Sequence, residues 1–161
     1  MKKLHYLGLL VGLFSTVCFA SNMCTETVKQ LQGMDYHTSL SDIKIEDLKT
    51  KLGKASVQTL KEQKLSWGEF SILTRDGQTI ITEGKKPKGV SDFPSMKEAA
   101  KALGKPLEGP INQLHQYTWE CEDTSSTVTI MASPDGKVLS LNGAYCDPAN
   151  PKGCTYFGRA M

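Results

Sequence analysis

A chain of 161 residues, with 19 lysines and arginines against 17 aspartates and glutamates, has room for one ordinary hydrophobic core or two small ones packed together. Its first 20 residues hold two of the lysines, Lys2 and Lys3, and none of the acids, so without them the charges balance. A neutral chain projects no overall field toward nucleic acid or an acidic membrane surface, and neither is expected as a partner.

Taken in chain order, residues 1–20 have the layout of a secretory signal peptide. Lys2 and Lys3 precede a short apolar run from Leu7 to Val17, and Cys18 and Ala20 supply small residues at the −3 and −1 positions of a cleavage site. The run is too short for a stable membrane anchor. Cleavage before Ser21 leaves four of the five cysteines, Cys24, Cys121, Cys146 and Cys154. An even set in an exported chain reads as disulfides, and four cysteines permit three pairings. The turn-forming "DPANPKG" between Cys146 and Cys154 favours a bridge there, leaving Cys24 with Cys121. There is no Cys-x-x-Cys, which argues against thiol redox chemistry. The expected location is the periplasm or the extracellular medium.

After an N-terminal helical segment, 21–40, a first unit spans 41–84. Ile45, Leu48 and Leu52 recur at helical spacing, Ser41 or Asp42 can cap the start, and Gly53 can end the helix. Strand-forming residues around Trp67 and Phe70 follow. Asp76-Gly77 then marks a hairpin between 71–74 and 79–82. A Gly/Pro/Lys linker occupies 85–91. The second unit, 92–146, repeats the order. Met96, Ala99, Ala100 and Leu103 lie on one helical face, Ser95 is the cap, and Gly104 and Pro106 end the helix. Strands at 112–121 and 126–132 lead through Asp135-Gly136 into 138–146, and a tail, 147–161, closes the chain.

Three landmarks therefore recur: Leu-Gly-Lys at 52–54 and 103–105, a tryptophan at 67 and 119, and Asp-Gly at 76–77 and 135–136. The expected fold class is α+β, two tandem units with a helix packed on a small antiparallel β-sheet in each. On this reading Tyr117 and Trp119 pack beneath the 96–103 helix, and Leu114, Gln116, Thr118 and Glu120 share the opposite face of their strand.

Helix, Leu-Gly-Lys-Pro, a strand bearing Trp and a hairpin together resemble two families over Ser41 to Cys146. One is the BamE (SmpA/OmlA) outer-membrane assembly lipoproteins; the other is the tandem β-lactamase inhibitor protein. A PepSY-type domain shares the helix and Asp-Gly hairpin. Ala55 replaces the proline in the first copy, no convincing lipobox precedes Cys18, and the first unit holds no cysteine. The resemblance implies a non-enzymatic module that binds another protein, as an inhibitor or a cell-envelope assembly accessory. By that analogy the contact residues are Trp67, Phe70, Tyr117, Trp119 and Tyr145.

Catalytic patterns are thin. His37 and His115 have no metal-ligand spacing, and no cofactor or metal is expected. Ser41-x-x-Lys44 matches a motif of penicillin-recognising enzymes without its companion motifs. Glu120, Glu122 and Asp123 read as a solvated turn. The alternatives to a binding module are a small secreted hydrolase built on His115 and the acids near Glu120, or a host-directed secreted factor.

Overall fold

The computed structural model describes residues 17–35, 39–150 and 152–160. The expected signal segment lies almost wholly outside them, and so does His37. Three helices, α1 (Val17–Gln32), α2 (Ile45–Leu52) and α3 (Met96–Leu103), accompany seven strands: β1 (Ser56–Trp67), β2 (Phe70–Arg75), β3 (Gln78–Glu83), β4 (Leu107–Glu120), β5 (Thr127–Ala132), β6 (Val138–Cys146) and β7 (Cys154–Ala160). No described helix is long and apolar enough to cross a membrane.

The expectation of two helix-on-sheet units is overturned. All seven strands join one antiparallel sheet in the order β3-β2-β1-β4-β5-β6-β7, so the fold is β-rich, a single curled sheet with helices on it. The junction is the β1/β4 ladder, which runs from Ser56 opposite Thr118 to Ser66 opposite Leu107. β2 begins pairing with β1 only at Glu62, so among the described residues Ser56–Lys61 have β4 as their only strand partner. Backbone polar groups in a sheet interior must be paired, and β4 supplies this half of β1. Residues 107–111, with a glycine and a proline, precede the strand expected at 112–121 and extend β4. Gly109 and Pro110 fall where the register shifts between Gln63 and Leu65, and a bulge is where a strand tolerates proline.

The helices cross over. Ile45, Leu48 and Leu52 of α2 join Trp119, Val128, Ile130 and Leu141 of β4–β6 in the larger core, with Val28 and Leu31 of α1. Ala99 of α3 packs with Leu65, Phe70 and Ile72 of β1 and β2, with Leu103 and Trp67 at the margin. Each of these two helices therefore lies on strands from the other half of the chain. Tyr117 and Trp119 accordingly pack against α2 and not beneath α3, correcting that expectation.

Both helices end in the same way. Gly53 (φ 83°, ψ −150°) and Gly104 (φ 85°, ψ −163°) are C-caps whose N–H groups donate to Lys49 and Ala100. This region of backbone space belongs essentially to glycine. The carbonyl of each glycine then accepts an indole N–H: Trp119 Nε1 donates to Gly53 O at 3.0 Å and Trp67 Nε1 to Gly104 O at 2.8 Å. The repeated Leu-Gly-Lys and Trp are the two halves of this reciprocal contact. At the other end, Ser95 and Glu98 form a capping box on α3. α2 lacks a side-chain cap at Lys44; Ser41 and Asp42 instead lie in a 3₁₀ turn, Leu40–Asp42, capped by Ser39.

Two disulfides, Cys24–Cys121 and Cys146–Cys154, are formed. The first ties α1 to the end of β4, where Thr25 Oγ1 also donates to Asp123 Oδ1 at 3.0 Å. The second closes the β6–β7 connection, so the C-terminal tail carries a strand of the sheet.

Gly53→Ala and Gly104→Ala should each destabilise the protein by about 1–3 kcal/mol in urea denaturation, the cost of forcing a Cβ into that backbone region. Trp119→Phe should be more damaging than Trp67→Phe, because Trp119 is only 2% exposed and the smaller ring leaves unfilled space in the larger core. For the disulfides, the bridge across 97 residues should matter more than the one across 8. Replacing each pair by serine should cost about 4.7 and about 2.5 kcal/mol respectively on the chain-entropy account, read from the same denaturation curves.

Candidate functional site

Strand alternation sorts side chains onto two faces of the sheet. On the helix-covered face stand His115, Tyr117 and Trp119 of β4, with Leu65 and Trp67 of β1, Phe70 of β2 and Tyr145 of β6. All five aromatic contact residues expected from the sequence are thus on this face. Trp67 stacks on Phe70 at 6.3 Å between ring centres, and Tyr117 on Trp119 at 6.0 Å. Phe70 and Trp119 are buried and serve the cores. Trp67, Tyr117 and Tyr145 are half-buried at helix margins, where Lys49 lies over Tyr117 and Lys29 over Tyr145. The structure brings them together in pairs under separate helices and not as one patch.

The opposite face carries no helix among the described residues. At its centre, Leu60 stands directly opposite Leu114 and Gln58 opposite Gln116 in the β1/β4 ladder. Leu114 is only 6% exposed yet belongs to neither core cluster. Thr118 and Thr129 bond across β4 and β5 at 3.3 Å. The charges there are largely matched internally. Arg75 donates through Nε and Nη2 to Glu62 Oε1 at 2.9 and 2.5 Å, and Lys64 meets Glu83 at 2.5 Å. The Lys64 hydrogen bond, and then its charge, holds the Glu83 carboxyl below its ordinary 4.5. The face therefore presents amides, hydroxyls and neutralised ion pairs around the half-buried Leu60, with Leu114 itself buried.

Six inter-strand spacings of about 4.8 Å and strands of about 25 Å make it about 720 Å² in projection. That is near the roughly 800 Å² that each partner contributes to an interface of standard size. The sequence places Leu114, Gln116 and Thr118 on one face, but their β1 neighbours come from a pairing that local pattern does not reveal.

The catalytic alternatives find little geometry. His115 Nδ1 lies 3.4 Å from Thr59 Oγ1, on the helix-covered face, while Glu120 points to the other. Lys44 Nζ donates to the carbonyl of Ser41, not to its hydroxyl, which pairs with Ser39. Among the described residues no group of three His, Cys, Asp or Glu side chains could hold a metal ion.

No family model, no curated protein and no solved structure matches the chain.

The Lys64–Glu83 pair has a pH signature. Because the folded carboxyl titrates below its unfolded value, its contribution to stability is present above pH about 4.5 and is lost as pH falls through the lower folded value. In a carboxyl-detected NMR titration Glu83 should therefore titrate below 4.5, and Lys64→Met should move it back upward.

Proposed function

We propose that this chain is an exported, non-enzymatic protein-binding module whose contact surface is the helix-free face of its sheet. The observation that carries the reading is the face itself. It is continuous over seven strands, large enough for a standard interface, and furnished with hydrogen-bonding groups around the Leu60–Leu114 pair. The two disulfides suit an oxidising compartment, and the N-terminal signal layout supports export to the periplasm or the medium after cleavage. The likeness in sequence pattern to the β-lactamase inhibitor protein and to BamE-type lipoproteins favours an inhibitor or an envelope-assembly accessory.

In the mechanism, the helix-covered face is the support. The crossed helices and the Trp67 and Trp119 contacts hold the ladder rigid, so the open face meets a partner preorganised, with little ordering cost. The aromatics expected as anchors from the sequence act through this support.

The test is affinity capture with the oxidised, exported protein from envelope and culture-medium fractions. Gln58→Arg/Gln116→Arg alters the open face and Trp67→Ala/Tyr145→Ala alters the helix side. A stoichiometric complex lost with the first pair and kept with the second is expected. The reverse pattern would move the contact to the aromatics. No complex from either fraction would turn attention to a partner outside the producing cell or to a hydrolase.

A further inference from the structure

An antiparallel sheet of seven strands has two edges, and they differ. The β7 edge is partly occupied: Arg159 Nη1 donates to the carbonyl of Asp35, drawing the segment after α1 against it, and Cys154 is bridged to Cys146. At β3, among the described residues, backbone hydrogen bonding is that of its ladder with β2. The linker that follows β3 returns over the helix-covered face, where Thr79 Oγ1 donates to the carbonyl of Pro94, and so leaves the edge open.

Edge strands are usually blunted by lysine, proline or a bulge. β3 reads Gln-Thr-Ile-Ile-Thr-Glu, with neither lysine nor proline and four β-branched residues in a row. Its one irregularity is a bulge in β3, where Ile80 is the extra residue between Thr79, opposite Thr74, and Ile81, opposite Leu73; Ile81–Glu83 are regularly paired. Ile81, beyond that bulge, is 47% exposed, a large apolar side chain on an edge strand without lysine or proline.

We propose that two copies of this chain associate edge to edge through β3, antiparallel about a two-fold axis at Ile81. The choice of a second copy rests on the self-complementarity of the strand and its flanks. An isologous antiparallel pairing centred on Ile81 sets Ile81 against Ile81 and Thr82 against Ile80 of the second copy, twice over. It also brings opposite charges together. The acid Asp76 lies just before the strand and the base Lys85 just after it, so antiparallel alignment places Lys85 of each copy beside the Asp76 turn of the other. Backbone groups on the two edges complete the ladder, and the two open faces become one fourteen-stranded surface. The inference is independent of the partner-binding reading, since it needs only the edge.

Sedimentation of the oxidised, exported protein from micromolar to millimolar concentration tests it. The expected result is a concentration-dependent dimer, with Ile81→Lys monomeric over the same range and matching the wild type in thermal midpoint at the dilute end, where both are monomers. Ile81→Cys, with the native disulfides formed, should cross-link into covalent dimers on mild oxidation, and Tyr156→Cys on β7 should not. A wild-type chain that stays monomeric at millimolar concentration overturns the proposal. So does a dimer that survives Ile81→Lys, or one that cross-links as readily through Tyr156→Cys. If Ile81→Lys does not fold, the comparison of the two cysteine variants decides alone.

Discussion

The β1/β4 ladder is the constraint on which the other parts depend. It is the longest pairing in the sheet and, among the described residues, the only one that joins the two halves of the chain. Because the strands are antiparallel, a helix lying over one end of the ladder meets the strands of the other half. α2 is thereby carried onto β4–β6 and α3 onto β1 and β2. The terminal carbonyls of a helix lack partners within it. Here a tryptophan from the other half supplies one N–H at each helix end, at Gly53 and at Gly104. Neither half can complete its own helix end, so the two form one cooperative body.

That body is unevenly secured. The core under α1 and α2 gathers fifteen buried residues, whereas the core under α3 gathers five. Both disulfides and the Thr25–Asp123 bond fall on the larger side. The smaller side has no covalent tie among the described residues and relies on the ladder, the Ser95–Glu98 capping box and the Trp67 contact. Local opening follows buried contact and covalent restraint, so β2, β3 and α3 form the less stable subregion. An open face that crosses both regions thus has a firm end at β5–β7 and a softer one at β2–β3.

The same geometry explains why the aromatic residues gather on the helix-covered face. Their large areas are what a thin, one-layer helix cover needs beneath it, and five of them stand on that side. The side left to solvent is built from glutamine, threonine, paired charges and a few leucines. These residues have no conspicuous signature in a linear sequence, because their meaning comes from being neighbours across strands.

What could be read from the sequence was local. Ile45, Leu48 and Leu52 marked a helix by spacing, Ser95 announced its capping role three residues before Glu98, and Asp76-Gly77 marked a hairpin. The cysteine spacing and its turn residues favoured the bridges that form. The recurrence of Leu-Gly-Lys and Trp was also visible. Its purpose was not, since a hydrogen bond between Trp119 and Gly53 spans 66 positions and leaves no periodic trace. The merging of the strands into one sheet was likewise hidden, because Leu107–Ile111 carries the glycine and proline of a loop and becomes strand only when β1 pairs with it. Short-range propensity and capping are written in adjacent residues. Which strand lies beside which, and so which face stays open, is settled by long-range pairing of backbone groups that every residue shares.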